Sequence, residues 1–228
     1  IPGHEYVDKR IYSLSAVSIP ASESYSLEQG KNWMCGLTGY VRIGPASPEA
    51  VTIGLMSEAQ RHRGPDDFGH IGINTGTGWI EELSRVACDS FSRPVDLLFG
   101  FRRLSILDLS EKSHQPMLSP DGQVALMLNG EIYNSFGFVS ELEAAGCRFG
   151  GRSDTEVVLN LYLVYGLDGM RSRLNGMFAN AIFDARVAKL FLARDRFGEQ
   201  ALESARRFHM DRVGRTWQEL FEAEVPKH

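Results

Sequence analysis

Trp33-Met34-Cys35-Gly36-Leu37-Thr38-Gly39-Tyr40 places a cysteine directly between a methionine and a glycine. If Met34 is removed, Cys35 carries a thiol that can attack a carbonyl carbon and a free α-amino group that can take and return the proton. These two groups titrate at about pH 8.5 and about pH 8, so each can work near neutrality. If Met34 remains, the same nitrogen is a planar peptide amide and cannot act as a base. A lone cysteine is otherwise most often a small buried apolar residue, so both interpretations stay open.

Composition favours one globular domain. The chain has 228 residues, 43% hydrophobic and 23% charged, which is enough apolar material for one core. Its net charge is -5 and its basic residues form no long run, so the electrostatic signature of a protein that binds nucleic acid or an anionic membrane is missing. We therefore expect a small polar substrate, and no nucleic acid or membrane as partner.

The cysteines predict a reducing compartment. Cys35, Cys88 and Cys147 lack the spacing of metal ligands or of a redox pair, so we expect free thiols, no disulfide and no metal. No apolar run is long enough to cross a bilayer. We interpret the protein as cytoplasmic.

The two ends of the chain differ from its middle. Residues 1–34 form an N-terminal extension that is rich in Ser and Glu and begins with Ile1 rather than Met. A cleaved pro-segment, a misplaced translation start or a fusion would explain it, and the lack of a processing site near Trp33 favours the latter two. Near the other end, apolar residues recur at helical spacing over residues 201–224 and predict an amphipathic helix.

Between these ends, the hydrophobic pattern mixes strands and helices. It predicts strands at residues 37–43, 68–74, around Trp79, 95–106, 123–128, 177–184 and 190–193, and helices at 48–60 and 136–145. Val51, Leu55 and Met56 are expected on one side of the first helix. Gly146 is expected to cap the second at its C-terminus.

A capping box follows at Ser153-Asp154-Thr155-Glu156. We expect the Ser153 side chain to cap a third helix and Glu156 to reach back to the cap. The helix dipole alone favours an acid such as Asp154 in the first turn.

Two further stretches carry charge that a polar ligand could use. Arg61-His62-Arg63-Gly64-Pro65-Asp66-Asp67 ends a helix and sets arginines beside aspartates, with Arg61, Gly64 and Pro65 as a possible site loop. In the later strand, Arg102 and Arg103 must face opposite sides, so one of them points at the interior or a cleft. That arginine would form either a core ion pair or a planar fork for a ligand carboxylate, and the residues alone do not decide between them.

Asn129-Gly130 lies at the end of a predicted strand and also has two interpretations. Asn-Gly most often marks a turn. An asparagine amide beside a glycine N–H also supplies the two donors of an oxyanion hole.

Several separated motifs together resemble the glutamine-hydrolysing domain of asparagine synthetase B, a class II glutamine amidotransferase. They occur in the family's order from Met34 to Gly198. The motifs are Met34-Cys35-Gly36, Arg61-His62-Arg63-Gly64-Pro65-Asp66, Arg103-Leu104-Ser105-Ile106-Leu107-Asp108, His114-Gln115-Pro116-Met117, Asn129-Gly130-Glu131-Ile132-Tyr133-Asn134, Ser153-Asp154-Thr155-Glu156, and Leu174-Asn175-Gly176-Met177-Phe178-Ala179 through Leu192-Ala193-Arg194-Asp195-Arg196-Phe197-Gly198.

The resemblance implies an α+β fold of the N-terminal nucleophile (Ntn) hydrolase type over residues 35–198, a four-layer αββα sandwich with two packed antiparallel sheets. It also implies catalytic roles. Cys35 would attack the side-chain amide of L-glutamine to give a glutamyl thioester and ammonia, with its own amine moving the proton. The Asn129 side chain and the Gly130 N–H would hold the oxyanion.

The resemblance further assigns the glutamine-binding residues. Arg103 would bind the α-carboxylate, and Asp154 and Glu131 would face the α-ammonium group. The pocket would be lined by Leu104, Ser105, Ile106 and Leu107.

The chain also departs from the family. In the family a Lys-Pro-Leu-Tyr run follows Arg-Phe-Gly, whereas here Glu199 follows Gly198 and residues 199–228 are an unrelated tail. We therefore expect that the ATP-dependent synthetase domain is absent, that ATP and magnesium belong to that missing domain, and that this chain needs no cofactor. Asn180 stands where the family usually has an aromatic or apolar residue, which would put a polar group into the core.

The expected function is the glutaminase half-reaction of an asparagine synthetase-like ligase in asparagine biosynthesis. Activity would require a free N-terminal Cys35. A separately encoded synthetase domain could accept the ammonia, and a homodimer is possible. The alternative is a truncated, catalytically silent glutamine-binding relict with a blocked Cys35. A third reading, an Ntn amidohydrolase acting outside glutamine metabolism, fits Arg103, Asn129 and Asp154 less well.

Overall fold

The computed structural model describes residues 35–42, 48–83, 90–104, 113–151 and 153–195. The predictions for residues 1–34, for Cys88, for Ser105, Ile106 and Leu107, and for the tail at 199–228 lie outside these residues. The chain divides into two compact units, Ile1–Ala193 and Arg194–His228. Of the second unit, only Arg194 and Asp195 are described.

The described residues form strands and helices in mixed order. The elements are β1 (Gly36–Val41), α1 (Ala50–Glu58), β2 (Asp67–Asn74), β3 (Trp79–Glu82), β4 (Leu97–Arg103), β5 (Met117–Leu118), β6 (Val124–Ile132), a 3₁₀ turn (Ser135–Phe138), α2 (Val139–Ala144), α3 (Asp154–Arg173), β7 (Gly176–Asp184) and β8 (Lys189–Arg194).

The strands make two four-stranded sheets. The order is β1-β4-β2-β3 in the first sheet and β5-β6-β7-β8 in the second. Strand β4 pairs antiparallel with both β1 and β2, and β6 pairs antiparallel with both β5 and β7. Arg103 and Asn129 therefore each lie on an inner strand of their sheet, Arg103 on β4 and Asn129 on β6.

Three apolar clusters stack these sheets into layers. We call the cluster between the two sheets the inter-sheet core; its buried members are Ile71, Ile73, Leu97, Phe99, Phe101, Ala125, Met127, Ala181 and Phe183. The outer face of the first sheet packs on α1 through Ile53 and Leu98. The outer face of the second sheet packs on α2 and α3 through Leu142 and Val158. The layers run αββα, which confirms the predicted α+β sandwich.

The strand boundaries differ most at β6. The pattern predicts a strand that ends at Leu128, but β6 continues to Ile132, so Asn129 and Gly130 lie inside a strand rather than in a turn. Backbone pairing with β7 continues through this stretch, from Leu128↔Asn180 to Ile132↔Gly176. This pairing with β7 overrides the local turn preference of Asn-Gly.

The side of α1 that carries Val51 and Leu55 is not the side that packs on the first sheet. Val51 and Leu55 are 50% and 68% exposed, whereas Ala50, Ile53 and Ser57 are buried. Two of these three side chains are small, which lets the helix approach the sheet closely, and Ser57 accepts a hydrogen bond from Arg102. A hydrophobicity pattern cannot detect a buried face that contains serine.

The capping box at α3 forms in part. The Glu156 N–H donates to Ser153 Oγ at 3.2 Å, as predicted. The Glu156 carboxylate, however, accepts from the Gly150 and Gly151 N–H groups at 2.6 and 2.9 Å, not from the Ser153 N–H. It therefore holds the loop before the helix. None of the described helices combines the length and apolar character that a membrane span requires.

Asn180 is buried on β7, where it is 4% exposed. Strand alternation places it on the helix-facing side of the second sheet, with Ile182. Neither its amide nitrogen nor its amide oxygen has a hydrogen-bond partner among the described residues. An unsatisfied buried polar group costs about 1–3 kcal/mol, so Asn180 lowers stability, as its sequence position predicts.

We expect Asn180→Leu to raise the free energy of unfolding by about 1–3 kcal/mol, because leucine has the same branching and no polar atoms to desolvate. Urea denaturation checks this as a higher midpoint with an unchanged slope. Asn180→Ala is the control and should gain less, since it leaves a cavity. A lower midpoint for the leucine variant would contradict the assignment.

Candidate active site

Cys35 lies directly before β1 and packs, half-buried, against the inter-sheet core. Its sulfur accepts a hydrogen bond from the Leu104 N–H at 3.4 Å and lies 3.9 Å from the Leu104 carbonyl oxygen. Arg63 Nε donates to the Cys35 carbonyl oxygen at 3.3 Å. The thiol is thereby held at the end of β4, where the predicted pocket residue Leu104 follows Arg103.

The two arginines of β4 separate onto opposite faces, as strand geometry predicts. Arg102 lies on the α1 side, where Nε donates to Ser57 Oγ at 3.0 Å and the guanidinium pairs with Glu58. Arg102 therefore forms the structural ion pair, with a Glu58 side chain that is 53% exposed. Arg103 alternates with it and lies on the side of Phe99 and Phe101, which belong to the inter-sheet core together with Cys35.

Two charged residues influence the pKa of the Cys35 thiol. Burial raises the pKa of Cys35, and the nearby Asp154 carboxylate raises this pKa further. The Leu104 N–H and the Arg103 guanidinium oppose the rise. Because burial dominates, the resting form of Cys35 at neutral pH is the thiol.

The predicted oxyanion pair lies on β6. Asn129 and Glu131 are separated from Ala125 and Met127 by even numbers of residues, so all four lie on the same face of β6. Ala125 and Met127 belong to the inter-sheet core, so this face points towards the first sheet. Asn129 is half-buried and Glu131 is exposed. The sandwich thus places Arg103 of one sheet and Asn129 of the other on facing sides.

Gly130 occupies a position that requires glycine. Its φ is +138°, which L side chains rarely adopt, and a Cβ there would lie 2.6 Å from Phe178 Cα on the neighbouring strand. The glycine lets β6 and β7 approach at this point, and it leaves the Gly130 backbone exposed.

Asp154 connects α3 to β6. Its carboxylate accepts the Ile132 N–H at 3.1 Å and the Thr155 N–H at 2.8 Å. Burial raises the pKa of Asp154, and the nearby Glu131 carboxylate adds to this rise, while the two N–H donors oppose it. Asp154 is thus more than a first-turn acid of α3, since it also fixes the end of β6.

The Arg61–Pro65 loop supports β4 from the side. A Cβ at Gly64 would lie 2.7 Å from the Arg103 backbone nitrogen, so glycine allows the loop to lie against β4. Arg61 is exposed and pairs with Glu58 at 3.3 Å, and Pro65 is also exposed. The structure brings Gly64 to the site but leaves the Arg61 side chain on the helix surface.

Sequence reasoning assigned no role to two residues that contact the site. Arg63 reaches the Cys35 carbonyl oxygen, and its place in the Arg-His-Arg-Gly-Pro-Asp motif was the available signal. Gln115 bonds to Leu128 directly before Asn129, and its signal was the His-Gln-Pro-Met motif. Within the described ranges, no cluster of three His, Cys, Asp or Glu side chains could hold a metal ion.

The chain is similar to known glutamine amidotransferase domains. Residues 88–211 match the glutamine amidotransferase domain family, which is more than half of the chain. The chain is 37% identical over 175 residues to glutamine-hydrolyzing asparagine synthetase 2 of Bacillus subtilis (strain 168), covering 74% of this chain and 20% of that protein. It is 35% identical over 172 residues to glutamine-hydrolyzing asparagine synthetase 1 of the same organism, covering 74% and 24%.

A solved structure supports the fold. The glutamine phosphoribosylpyrophosphate amidotransferase of B. subtilis superposes with a TM-score of 0.51 at 21% identity, over 71% of this chain and 37% of that one. This likeness agrees with the Ntn-type αββα sandwich.

The chain spans a fifth to a quarter of the length of these asparagine synthetases. The predicted resemblance is confirmed over that part. The chain belongs to the glutamine amidotransferase domain family, as a homologue of the glutamine amidotransferase domains of asparagine synthetases.

Proposed function

We propose that this chain hydrolyses L-glutamine to L-glutamate and ammonia, with Cys35 as the nucleophile. The observation that carries the proposal is the convergence of Cys35, Arg103 and Asp154. Cys35 packs against the inter-sheet core and its sulfur contacts Leu104, which follows Arg103, while the charges of Arg103 and Asp154 both act on the pKa of its thiol. A cation and an anion that both act on the thiol suit an amino acid, because its α-carboxylate and its α-ammonium group each need a partner of opposite charge.

Binding would use these charges. The Arg103 guanidinium would form two parallel hydrogen bonds to the α-carboxylate. Asp154, with Glu131 beside it, would accept hydrogen bonds from the α-ammonium group. Leu104 and the 105–107 stretch would line the pocket for the side chain.

The oxyanion assignment is supported by hydrogen-bond directions along β6. The N–H groups of Leu128 and Ile132 point to side chains, Gln115 Oε1 at 2.6 Å and Asp154 Oδ2 at 3.1 Å, rather than to β7. Alternate residues of an antiparallel strand direct their N–H groups to the same edge, so the Gly130 N–H between them faces that edge too. This N–H and the Asn129 amide would stabilise the oxygen of the tetrahedral intermediate.

The chemistry requires a base, because burial keeps the Cys35 thiol protonated. The free α-amine would accept the thiol proton as sulfur attacks the amide carbon. It would then give this proton to the departing nitrogen, so that the C–N bond breaks and ammonia leaves. Water would next add to the thioester carbon and give one of its protons to the amine. Breakage of the C–S bond would then release glutamate, and the amine would pass this proton to sulfur.

The ammonia would pass to a synthetase, either another part of a longer protein or a separately encoded partner that uses ATP and magnesium. The silent glutamine-binding alternative shares the same pocket and is not favoured by the family relationship. It differs only in whether Cys35 is freed.

Freeing Cys35 should raise ammonia release by about 10²–10⁴-fold over a chain that retains Met34, because that is the usual contribution of a general base. Intact mass spectrometry identifies the first residue, and an ammonia assay on each preparation measures the rate. Cys35→Ala should abolish the activity, and Cys147→Ala should retain it. Equal rates with and without Met34 would rule out the α-amine as the base.

Arg103→Ala should raise KM for glutamine by roughly 10- to 100-fold, since charge-assisted hydrogen bonds contribute about 1.5–3 kcal/mol. Arg102→Ala is the matched control, because Arg102 lies on the opposite face and pairs with Glu58. It should lower the midpoint of thermal unfolding and leave KM near the wild-type value. Steady-state kinetics on both variants would refute the assignment if Arg102 had the larger effect on KM.

The pKa of Cys35 should respond to its two charged neighbours in opposite directions. Asp154→Asn removes a charge that raises this pKa, so the midpoint of thiol alkylation should move to lower pH. Arg103→Ala removes a charge that lowers it, so the midpoint should move to higher pH. The rate of Cys35 modification by iodoacetamide against pH, followed by peptide mass spectrometry, gives both midpoints. Shifts in the same direction would contradict the proposed arrangement.

A further inference from the structure

Gln115 makes an unusual set of contacts for a buried side chain. It is 7% exposed and lies just before β5. Its Oε1 accepts the Leu128 N–H at 2.6 Å, and its Nε2 donates to the Leu128 carbonyl oxygen at 3.1 Å. The side-chain amide therefore satisfies both backbone groups of the residue that precedes Asn129.

These two hydrogen bonds take the place of a backbone pairing that β5 and β6 do not make. Strand β5 pairs with β6 at Met117↔Leu126 and Leu118↔Ala125, so the ladder extended backwards would bring residue 115 opposite Leu128. The backbone ladder stops at Met117, and Pro116 has no N–H to donate. The Gln115 amide takes the place of a peptide group and extends the hydrogen bonding along β6 towards the Asn129-Gly130 pair.

A third bond links the same amide to α3. Nε2 also lies 3.2 Å from Thr155 Oγ1, which accepts from it. Thr155 is buried, and its N–H donates to Asp154. Since Asp154 bonds to the Ile132 N–H, Gln115 and Asp154 hold the same edge of β6 on either side of Gly130.

The neighbouring His114 connects this edge to the first sheet. His114 Nδ1 lies 3.0 Å from Asp67 Oδ2, and Asp67 pairs with Arg103 in the β2–β4 register. A Cβ at Gly69 would lie 2.6 Å from His114 Nε2, so glycine in β2 makes room for the histidine ring. His114 thus contacts Asp67, which lies opposite Arg103 in the first sheet. Gln115 contacts Leu128, which precedes Asn129 in the second sheet.

We propose that Gln115 is a positioning residue that fixes the Asn129-Gly130 pair on β6 relative to Asp154 on α3. The proposal rests on the function proposed above and adds a residue to it. Gln115 does not touch glutamine; it acts through Leu128 and Thr155. Removing the amide leaves the Leu128 N–H and carbonyl oxygen without these partners and frees the edge of β6 to shift.

The test compares two alkylating agents on protein whose intact mass shows that it begins at Cys35. A diazoketone analogue of glutamine needs both the amino-acid-binding residues and the oxyanion donors to react with Cys35, whereas iodoacetamide needs only the exposed thiol. Both rates are measured well below the thermal unfolding transition of each variant, so that unfolded molecules do not contribute to the ratio of the two rates. In Gln115→Leu we expect this ratio to fall by about 10- to 100-fold, because small misplacements of reacting groups cost up to about that much.

Ser119→Ala is the matched control. Ser119 Oγ accepts the Val124 N–H at 2.9 Å and so holds the same edge of β6, four residues before Leu128. We expect this variant to lower thermal stability and leave the ratio unchanged. A ratio that falls equally in both variants would overturn the positioning role, since it would reflect loosening of the strand as a whole.

Two further outcomes are decisive. A folded Gln115→Leu protein with the wild-type ratio overturns the inference but leaves the proposed function intact. A wild-type protein that reacts no faster with the glutamine analogue than a free cysteine peptide overturns the proposed function itself. If Gln115→Leu fails to fold, Gln115→Glu keeps an acceptor for the Leu128 N–H but replaces the Nε2 donor to Leu128 and Thr155 with an oxygen; a lower ratio then supports the inference, and an unchanged ratio overturns it.

Discussion

The packing of one antiparallel sheet on another is the constraint on which the site depends. Each strand can present only every second side chain to the space between the sheets. On β4 this rule sends Arg103 to that space and Arg102 to α1, where it pairs with Glu58. On β6 the same rule sends Asn129 to the face that carries Met127 of the inter-sheet core. A shift of one residue in either strand would exchange the two sets of side chains, so the register of the apolar core also determines which polar groups reach the site.

Backbone contacts set the rest of the geometry, and two glycines make them possible. Gly64 lets the loop after α1 lie against the Arg103 backbone nitrogen, and Gly130 lets β6 lie against β7 at a φ of +138°. The exposed Gly130 backbone then lies between two residues, Leu128 and Ile132, whose N–H groups are held by Gln115 and Asp154. An oxyanion donor must be in place before charge develops, since a donor that has to move would lose much of its effect. A strand edge fixed by side chains on both sides of a glycine meets this requirement.

The sequence predicted those parts of the fold that depend on local pattern. Alternation separated Arg102 from Arg103, the cap at Ser153 forms, and the motifs predicted the αββα layers. The buried face of α1 was missed because it includes Ser57, a polar residue that accepts a hydrogen bond from Arg102. The continuation of β6 past Leu128 was missed because pairing with β7 outweighs the turn preference of Asn-Gly. The His-Gln-Pro-Met motif marked Gln115, but the hydrogen bonds of its side chain to the Leu128 backbone could not be predicted before the partner strand was placed.

The chemistry of Cys35 depends on a bond that strand packing does not control. Burial raises the pKa of this thiol, so the setting of Cys35 keeps the proposed nucleophile protonated at neutral pH. Arg103 offsets this rise in part, and Asp154 opposes that offset, so the charges that suit an amino acid do not by themselves generate a thiolate. A base must therefore lie within reach of sulfur, and the backbone nitrogen of Cys35 is the nearest one the chain offers by covalent structure. As an amide this nitrogen has no basicity, and as an amine it titrates near neutrality. Under the proposed function, the state of the Met34–Cys35 bond therefore decides whether this fold only binds glutamine or also hydrolyses it.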